Sequence, residues 1–138
     1  MTETQIEKKV LLENIIKGIE EVKGYDITIL DFTKLDNTIT DYFVICTGTT
    51  NTQVSAISES VERYIKTHLK ERPWHVEGVD NKQWVLMDYV STVVHIFQPE
   101  YREYYDLENL WGDVEITRIP DADEKNLKNE YSTIKNQA

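Results

Sequence analysis

The sequence holds one cysteine, three prolines and five glycines among 138 residues. A single thiol, Cys46, can form neither an internal disulfide nor a thiolate metal cluster, and its place in an apolar run reads as a small buried side chain. Such usage suits a reducing compartment. No apolar run approaches the roughly 20 residues that a membrane-spanning helix needs. Glu3 and Glu7 stand where a transit peptide would be basic and poor in acids, so the expectation is a cytosolic protein. Basic residues are also scarce: 15 Lys and Arg against 25 Asp and Glu leave a net charge of −10. A surface of that sign repels phosphate backbones, which makes nucleic acid a poor direct partner and a basic protein a favoured one. Residues 1–70 carry eight bases against eleven acids, 71–112 three against eight, and 113–138 four against six, so no segment forms a compensating basic arm.

Enough apolar material is present for a core. Hydrophobic residues are 40% and charged residues 29% of a chain whose length fits one domain. That domain is expected over 1–120, with a polar, flexible tail over 121–138.

From Glu3 to Val22, Ile6, Val10, Leu11, Ile15, Ile19 and Val22 recur at three- and four-residue steps, which predicts an amphipathic helix closed near Gly24. Tyr25–Phe32 alternates polar and β-branched residues, and Asp41–Thr47 is nearly all apolar, so the first reads as a half-exposed strand and the second as a central one. Thr50 and Gln53 have capping-box spacing before a helix with Val54, Ile57, Val61, Ile65 and Leu69 on its buried stripe, which Pro73 ends. Trp74–Glu77 is a short strand, Gln83–Tyr89 and Thr92–Gln98 form a hairpin, and a short helix or turn follows Pro99. Val114–Ile119 can add an edge strand. The fold class is therefore α/β (α+β), a mixed sheet of about five strands with flanking helices.

Chemistry is hard to find. Gly48-Thr49 lies at a strand-to-helix junction that could hold an anion, but no phosphate-loop spacing accompanies it. Asp80 and Asp88 are eight residues apart on either side of Gln83, which is poor placement for two magnesium ions. His68, His75 and His95 have no zinc spacing, and Cys46 has no nucleophile signature. No catalysis, cofactor or metal is expected.

The aromatic pattern is more informative. Trp84, Tyr89, Tyr101, Tyr104, Tyr105 and Trp111 are interleaved with Asp88, Glu100, Arg102, Glu103, Asp106 and Glu108. Tyr, Trp and Arg dominate interface hot spots because they bury large area at low rotamer cost. Alternation puts Trp84, Leu86 and Asp88 on one face of their strand and Val85, Met87 and Tyr89 on the other. If helices cover one face, the other exposes a Trp or a Tyr beside carboxylates.

The blocks Asp41-Tyr42-Phe43-Val44-Ile45-Cys46-Thr47-Gly48-Thr49-Thr50-Asn51 and Gln53-Val54-x-Ala56-Ile57 resemble the first signature of the ribosomal silencing factors, or iojap family. Glu77-Gly78, Trp84 to Tyr89, Val93 to Phe97 and Arg102 to Trp111 follow in family order. The resemblance covers about residues 6–113. It implies a sheet similar to the nucleotidyltransferase fold without its catalytic carboxylates. It also implies binding to the large ribosomal subunit through ribosomal protein L fourteen, blocking small-subunit joining and lowering translation when nutrients are scarce. By that resemblance the partner contact falls on Asp41, Trp84, Asp88, Tyr89, His95, Arg102, Tyr105, Leu107, Glu108, Leu110 and Trp111, with Leu107 and Leu110 the foremost core candidates. Val90-Ser91 stand where the family usually has Gly-Asp, and Thr52 where it often has Arg, so the turn after Asp88-Tyr89 is expected to differ. Two rival readings are a nucleotide-binding enzyme using the Gly48 turn and a homodimer paired through its aromatic sheet face.

Overall fold

The computed structural model describes residues 2–121. Apart from Asp121, the tail expected over 121–138 lies outside the described residues.

Helix α1 (Glu3–Glu21) opens on a reciprocal cap: Gln5 N–H donates to Thr2 Oγ1 at 3.2 Å, and Thr2 N–H to Gln5 Oε1 at 2.9 Å. It closes one residue earlier than the Gly24 reading implied, with Lys23 in the left-handed region at φ 62°. Gly24 N–H then reaches back to the Ile19 carbonyl at 3.0 Å. Gly24 is needed for space, because a Cβ there would stand 2.4 Å from Ile19 Cγ2.

Strands β1 (Tyr25–Asp31) and β2 (Tyr42–Thr47) pair antiparallel. Helix α2 (Asn51–Leu69) carries the chain back. Thr50 Oγ1 accepts from Gln53 N–H as the spacing predicted, but the Gln53 side chain accepts from Thr49 N–H and donates to the Lys23 carbonyl, tying the helix start to the end of α1. Lys70, left-handed at φ 58°, ends α2 before Pro73 is reached. Strands β3 (His75–Glu77), β4 (Trp84–Asp88) and β5 (Thr92–Phe97) form a meander, followed by α3 (Pro99–Tyr105), α4 (Leu107–Leu110) and β6 (Glu115–Arg118).

The strand order is β3-β4-β5-β2-β1-β6, with β2 and β5 parallel and the remaining neighbours antiparallel. The sheet thus has six strands, β6 being the edge addition. Gly78 sits at φ 85° between β3 and β4, and a Cβ there would stand 1.9 Å from the Trp84 carbonyl oxygen, so only glycine fits the turn that delivers Trp84.

Both long helices lie on one face. Ile15 and Ile19 of α1 and Val54, Ile57, Val61 and Ile65 of α2 are fully buried against Ile27, Val44, Cys46, Val85, Met87, Val94 and Ile96. Each such side chain stabilises the fold by about 1.5–3 kcal/mol through loss of apolar surface to water. The helices approach closely at Gly18, where a Cβ would come 3.1 Å from Val61 Cα, and Ser60 Oγ donates to the Gly18 carbonyl at 2.6 Å. Burial pushes the Cys46 thiol up to about 12, so it stays protonated.

Candidate functional site

On the opposite face the cover is incomplete. Period-two alternation turns Phe43 and Ile45 of β2, Trp84, Leu86 and Asp88 of β4, and Val93, His95 and Phe97 of β5 away from α1 and α2. There α3 and α4 shield one half: Tyr101, Leu107 and Val114 pack around Leu30, Phe32, Ile45 and Phe97. The other half is a groove of about 870 Å³. Phe32, Phe43, Leu86, Val93 and His95 lie at its floor, while Ile39, Trp74, Val90 and Trp111 stand exposed around it, Ile39 fully and Trp74 at 80%.

Ring contacts bind this face together. Phe32 meets Phe43 edge-on at 4.8 Å and Trp111 at 5.2 Å, Phe43 meets His95 at 4.5 Å, and Trp84 lies 4.9 Å from Phe97 and 4.7 Å from Tyr105. Such pairs add about 0.5–1.5 kcal/mol each beyond area burial and hold the rings in fixed orientations. Trp84 Nε1–H donates to His95 Nδ1 at 3.1 Å. An indole nitrogen can only donate, so the neutral imidazole carries its proton on Nε2, which has no acceptor among the described residues. Burial lowers the His95 pKa to about 4, so at neutral pH it is an uncharged member of the aromatic floor.

Arg102 works behind the face. Its side chain is 11% exposed and donates from Nε and Nη2 to Glu108 Oε1 at 3.0 and 2.7 Å, from Nη2 to Thr28 Oγ1 at 3.0 Å, and from Nη1 to Thr47 Oγ1 at 2.8 Å and to the Asp26 carbonyl. Two charge-assisted bonds to one carboxylate and bonds to two strands bolt α3 and α4 onto the sheet. Arg102 and Glu108 therefore position the helices that carry Tyr105 and Trp111.

The structure brings Trp84, Asp88, His95, Tyr105, Leu107 and Trp111 to this one face, with Arg102 and Glu108 beneath its helical cover. Leu110 is 68% exposed, which corrects its reading as core; the four-residue α4 buries only its Leu107 side. Tyr89 is turned the other way and buried with the helix-side core. Its hydroxyl has no partner among the described residues, and burial first, then Glu62 and Glu71, raise its pKa. Asp41 sits outside the groove and pairs with Lys8 at 2.8 Å. Trp74, Ile39, Phe32 and Phe43 escaped sequence reasoning as site residues; an isolated Trp after Pro73 and an Ile between two threonines were the available signs.

Val90 occupies the turn with φ 74°, the conformation a glycine would favour, so the altered turn keeps a left-handed residue and strains a β-branched one. Asp88 Oδ1 holds it by accepting from Val90 N–H at 2.7 Å. At the Gly48 junction, Gly48 N–H already donates to the Phe97 carbonyl at 2.9 Å and Thr49 N–H to Gln53 Oε1 at 2.7 Å. Two amides that a phosphate would use are thereby occupied. Among the described residues no three His, Cys, Asp or Glu gather as a metal site, and no helix is long and apolar enough to cross a membrane.

A family model described as "Ribosomal silencing factor during starvation", RsfS, matches residues 4–138. The chain belongs to the RsfS family. A Bacillus subtilis ribosomal silencing factor RsfS is 36% identical over 115 residues, covering 81% of this chain and 93% of that protein. The mouse protein named "Mitochondrial assembly of ribosomal large subunit protein 1" is 43% identical over 75 residues, 52% of this chain and 32% of that longer protein. A crystal structure of a Chromobacterium violaceum protein superposes with a TM-score of 0.70 at 33% identity, covering 83% of this chain and 94% of that one. Silencing is a regulatory description, and it suits an RsfS-family face built of rings and apolar side chains.

Proposed function

We propose that this RsfS-family chain binds the large ribosomal subunit in the cytoplasm through ribosomal protein L fourteen, blocks small-subunit joining, and so lowers translation when nutrients are scarce. The half-covered aromatic face carries this reading. Trp74, Trp111, Ile39 and Val90 offer apolar anchors around a floor of fixed rings, the arrangement from which hot spots are made. The net charge of −10 favours encounter of the chain with a basic partner, and Asp88 places a carboxylate at the groove itself. The names of the relatives point the same way, since one is assigned to assembly of a large ribosomal subunit. Inhibition then requires a bound body at the joining surface and no bond making. Tyr105, Leu107, Leu110, Trp84, Asp88, His95 and Trp111 belong to this contact, and Arg102 and Glu108 support it. Tyr89 and Asp41 do not.

Sucrose-gradient sedimentation of separated subunits, mixed under joining conditions, tests the proposal. The protein is expected to migrate with the large subunit and to reduce whole ribosomes. Tyr105→Ala with Trp111→Ala should weaken that binding roughly thirtyfold, about 2 kcal/mol, while the circular dichroism spectrum is kept. Free protein at the top of the gradient with unchanged joining overturns it. Light scattering over a concentration series separates this use of the face from pairing with a second copy.

A further inference from the structure

The second half of α2 concentrates positive charge that the overall balance conceals. Arg63, Lys66 and Lys70 follow one another at three- and four-residue steps on the outer side of the helix, and Arg72 continues the row past its end. All four are exposed and line one open depression of about 710 Å³. Glu59 and Glu62 line it too, leaving four cations against two carboxylates in a chain whose net charge is −10. None of the four takes part in an ion pair among the described residues, a property shared with Lys9, Lys17, Lys23 and Lys82, so it is their placement in one row that sets them apart.

A second feature of the same helix selects the kind of anion. Tyr64 and His68 stack at 4.1 Å with their planes 20° apart, and the His68 ring is exposed beside the basic row. Its Nδ1 lies 2.9 Å from the Tyr64 carbonyl, which fixes the ring's orientation. An exposed, oriented ring flanked by unpaired cations is the combination that holds single-stranded nucleic acid, base on ring and phosphate on ammonium or guanidinium. An acidic peptide would use the cations and leave the ring idle. The row also ends two residues before Trp74, whose N–H is anchored to the Asp88 carbonyl at 2.7 Å on the β4 side of the sheet. The basic surface therefore runs round the β3 edge toward the aromatic groove without lying in it.

The geometry points to a single-stranded RNA-binding surface formed by Arg63, Lys66, Lys70 and Arg72 with the Tyr64–His68 stack. This surface is separate from the groove, and its binding to RNA does not depend on what the groove binds. It runs against the expectation, drawn from the net charge of the whole chain, that nucleic acid is a poor direct partner.

Fluorescence anisotropy of a labelled 20-nucleotide mixed-sequence RNA, titrated with the full chain, tests the assignment. Four phosphate contacts give a salt slope of about −3, or roughly fiftyfold weaker binding between 50 and 200 mM salt. Lys66→Gln with Lys70→Gln should lower affinity at least tenfold and reduce the slope by about 1.4. Lys9→Gln with Lys17→Gln, an equal loss of charge on α1, should stay within twofold of the wild type. Tyr105→Ala with Trp111→Ala should bind RNA as the wild type does, even where it no longer binds subunits. The assignment is overturned by absence of wild-type binding at 50 mM salt, by equal losses in the two lysine pairs, by loss in the groove variant, or by polyglutamate displacing the RNA at matched charge.

Discussion

The two faces of the sheet are made from the same strands and differ in almost everything else. Toward α1 and α2 the buried side chains are mainly aliphatic, Ile, Val, Leu and one Met, with Cys46 and a single ring, Tyr89, among them. Toward α3 and α4 they are aromatic, oriented by ring contacts and by one indole-to-imidazole hydrogen bond, and left half uncovered. Aliphatic residues fill volume, and density is all that the helix-covered face requires. Rings present flat area with a definite tilt, which matters only where another molecule must fit against it. The difference teaches that one side is built to be filled and closed, and that the other is the side on which the proposed contact falls.

That division can be broken most forcefully from the helix side. Ile57→Ala empties a fully buried site between α2 and the sheet and should cost about 4 kcal/mol in denaturant unfolding, while the molecules that remain folded bind large subunits as before. Weakened binding at full folding would mean that the faces are coupled. The next effect belongs to His95. Its folded pKa of about 4 lies below the ordinary 6.5, so the unfolded chain takes up a proton that the fold refuses. Stability is complete above pH 6.5 and declines as pH falls from 6.5 through 4, by about 3 kcal/mol in all. His95→Gln should remove that part of the pH dependence, read as the difference between the two proteins' unfolding curves. A smaller gain is expected from Val90→Gly. Relief of a left-handed β-branched residue should stabilise the fold by about 1 kcal/mol, seen as a higher Tm, and loss of an apolar side chain at the groove should weaken subunit binding. Least of all, Tyr89→Phe removes a buried hydroxyl without a partner among the described residues; it should change stability by under about 0.5 kcal/mol and leave subunit binding untouched. A clear loss of binding there would place Tyr89 in the contact and erase the distinction between the faces.

Much of the layer structure was readable from periodicity. The three- and four-residue steps marked α1 and α2 almost to the residue, and the alternation in β4 sorted Trp84, Leu86 and Asp88 from Val85, Met87 and Tyr89 as the structure has them. The side on which each set lies was beyond local pattern, because it depends on which face the helices choose, and Tyr89, named with Trp84 as a contact residue, lies on the helix side. Arg102 was placed in the partner contact, and its supporting bonds could not be read because Thr28, Thr47 and the Asp26 carbonyl come from strands more than fifty residues earlier. Leu110 looked like core because a leucine near a tryptophan usually is, yet one turn of helix can bury only one side. The basic row on α2 vanished from the charge count because a sum over residues 1–70 averages Arg63, Lys66 and Lys70 with eleven acids.

The pairing of β6 with β1 sets the order in which a newly made chain can be finished. Residues 28–31 hydrogen-bond with 115–118, so the first strand to leave the synthesising ribosome keeps a bare edge until nearly the last described residues have followed it. Ile119 N–H then donates to the Ile27 carbonyl, and Asp121 accepts from Asp26 N–H, closing the seam. Until that moment the nascent protein carries an unpaired strand, an invitation to mispairing. Arrival of β6 is thus the event that seals the sheet.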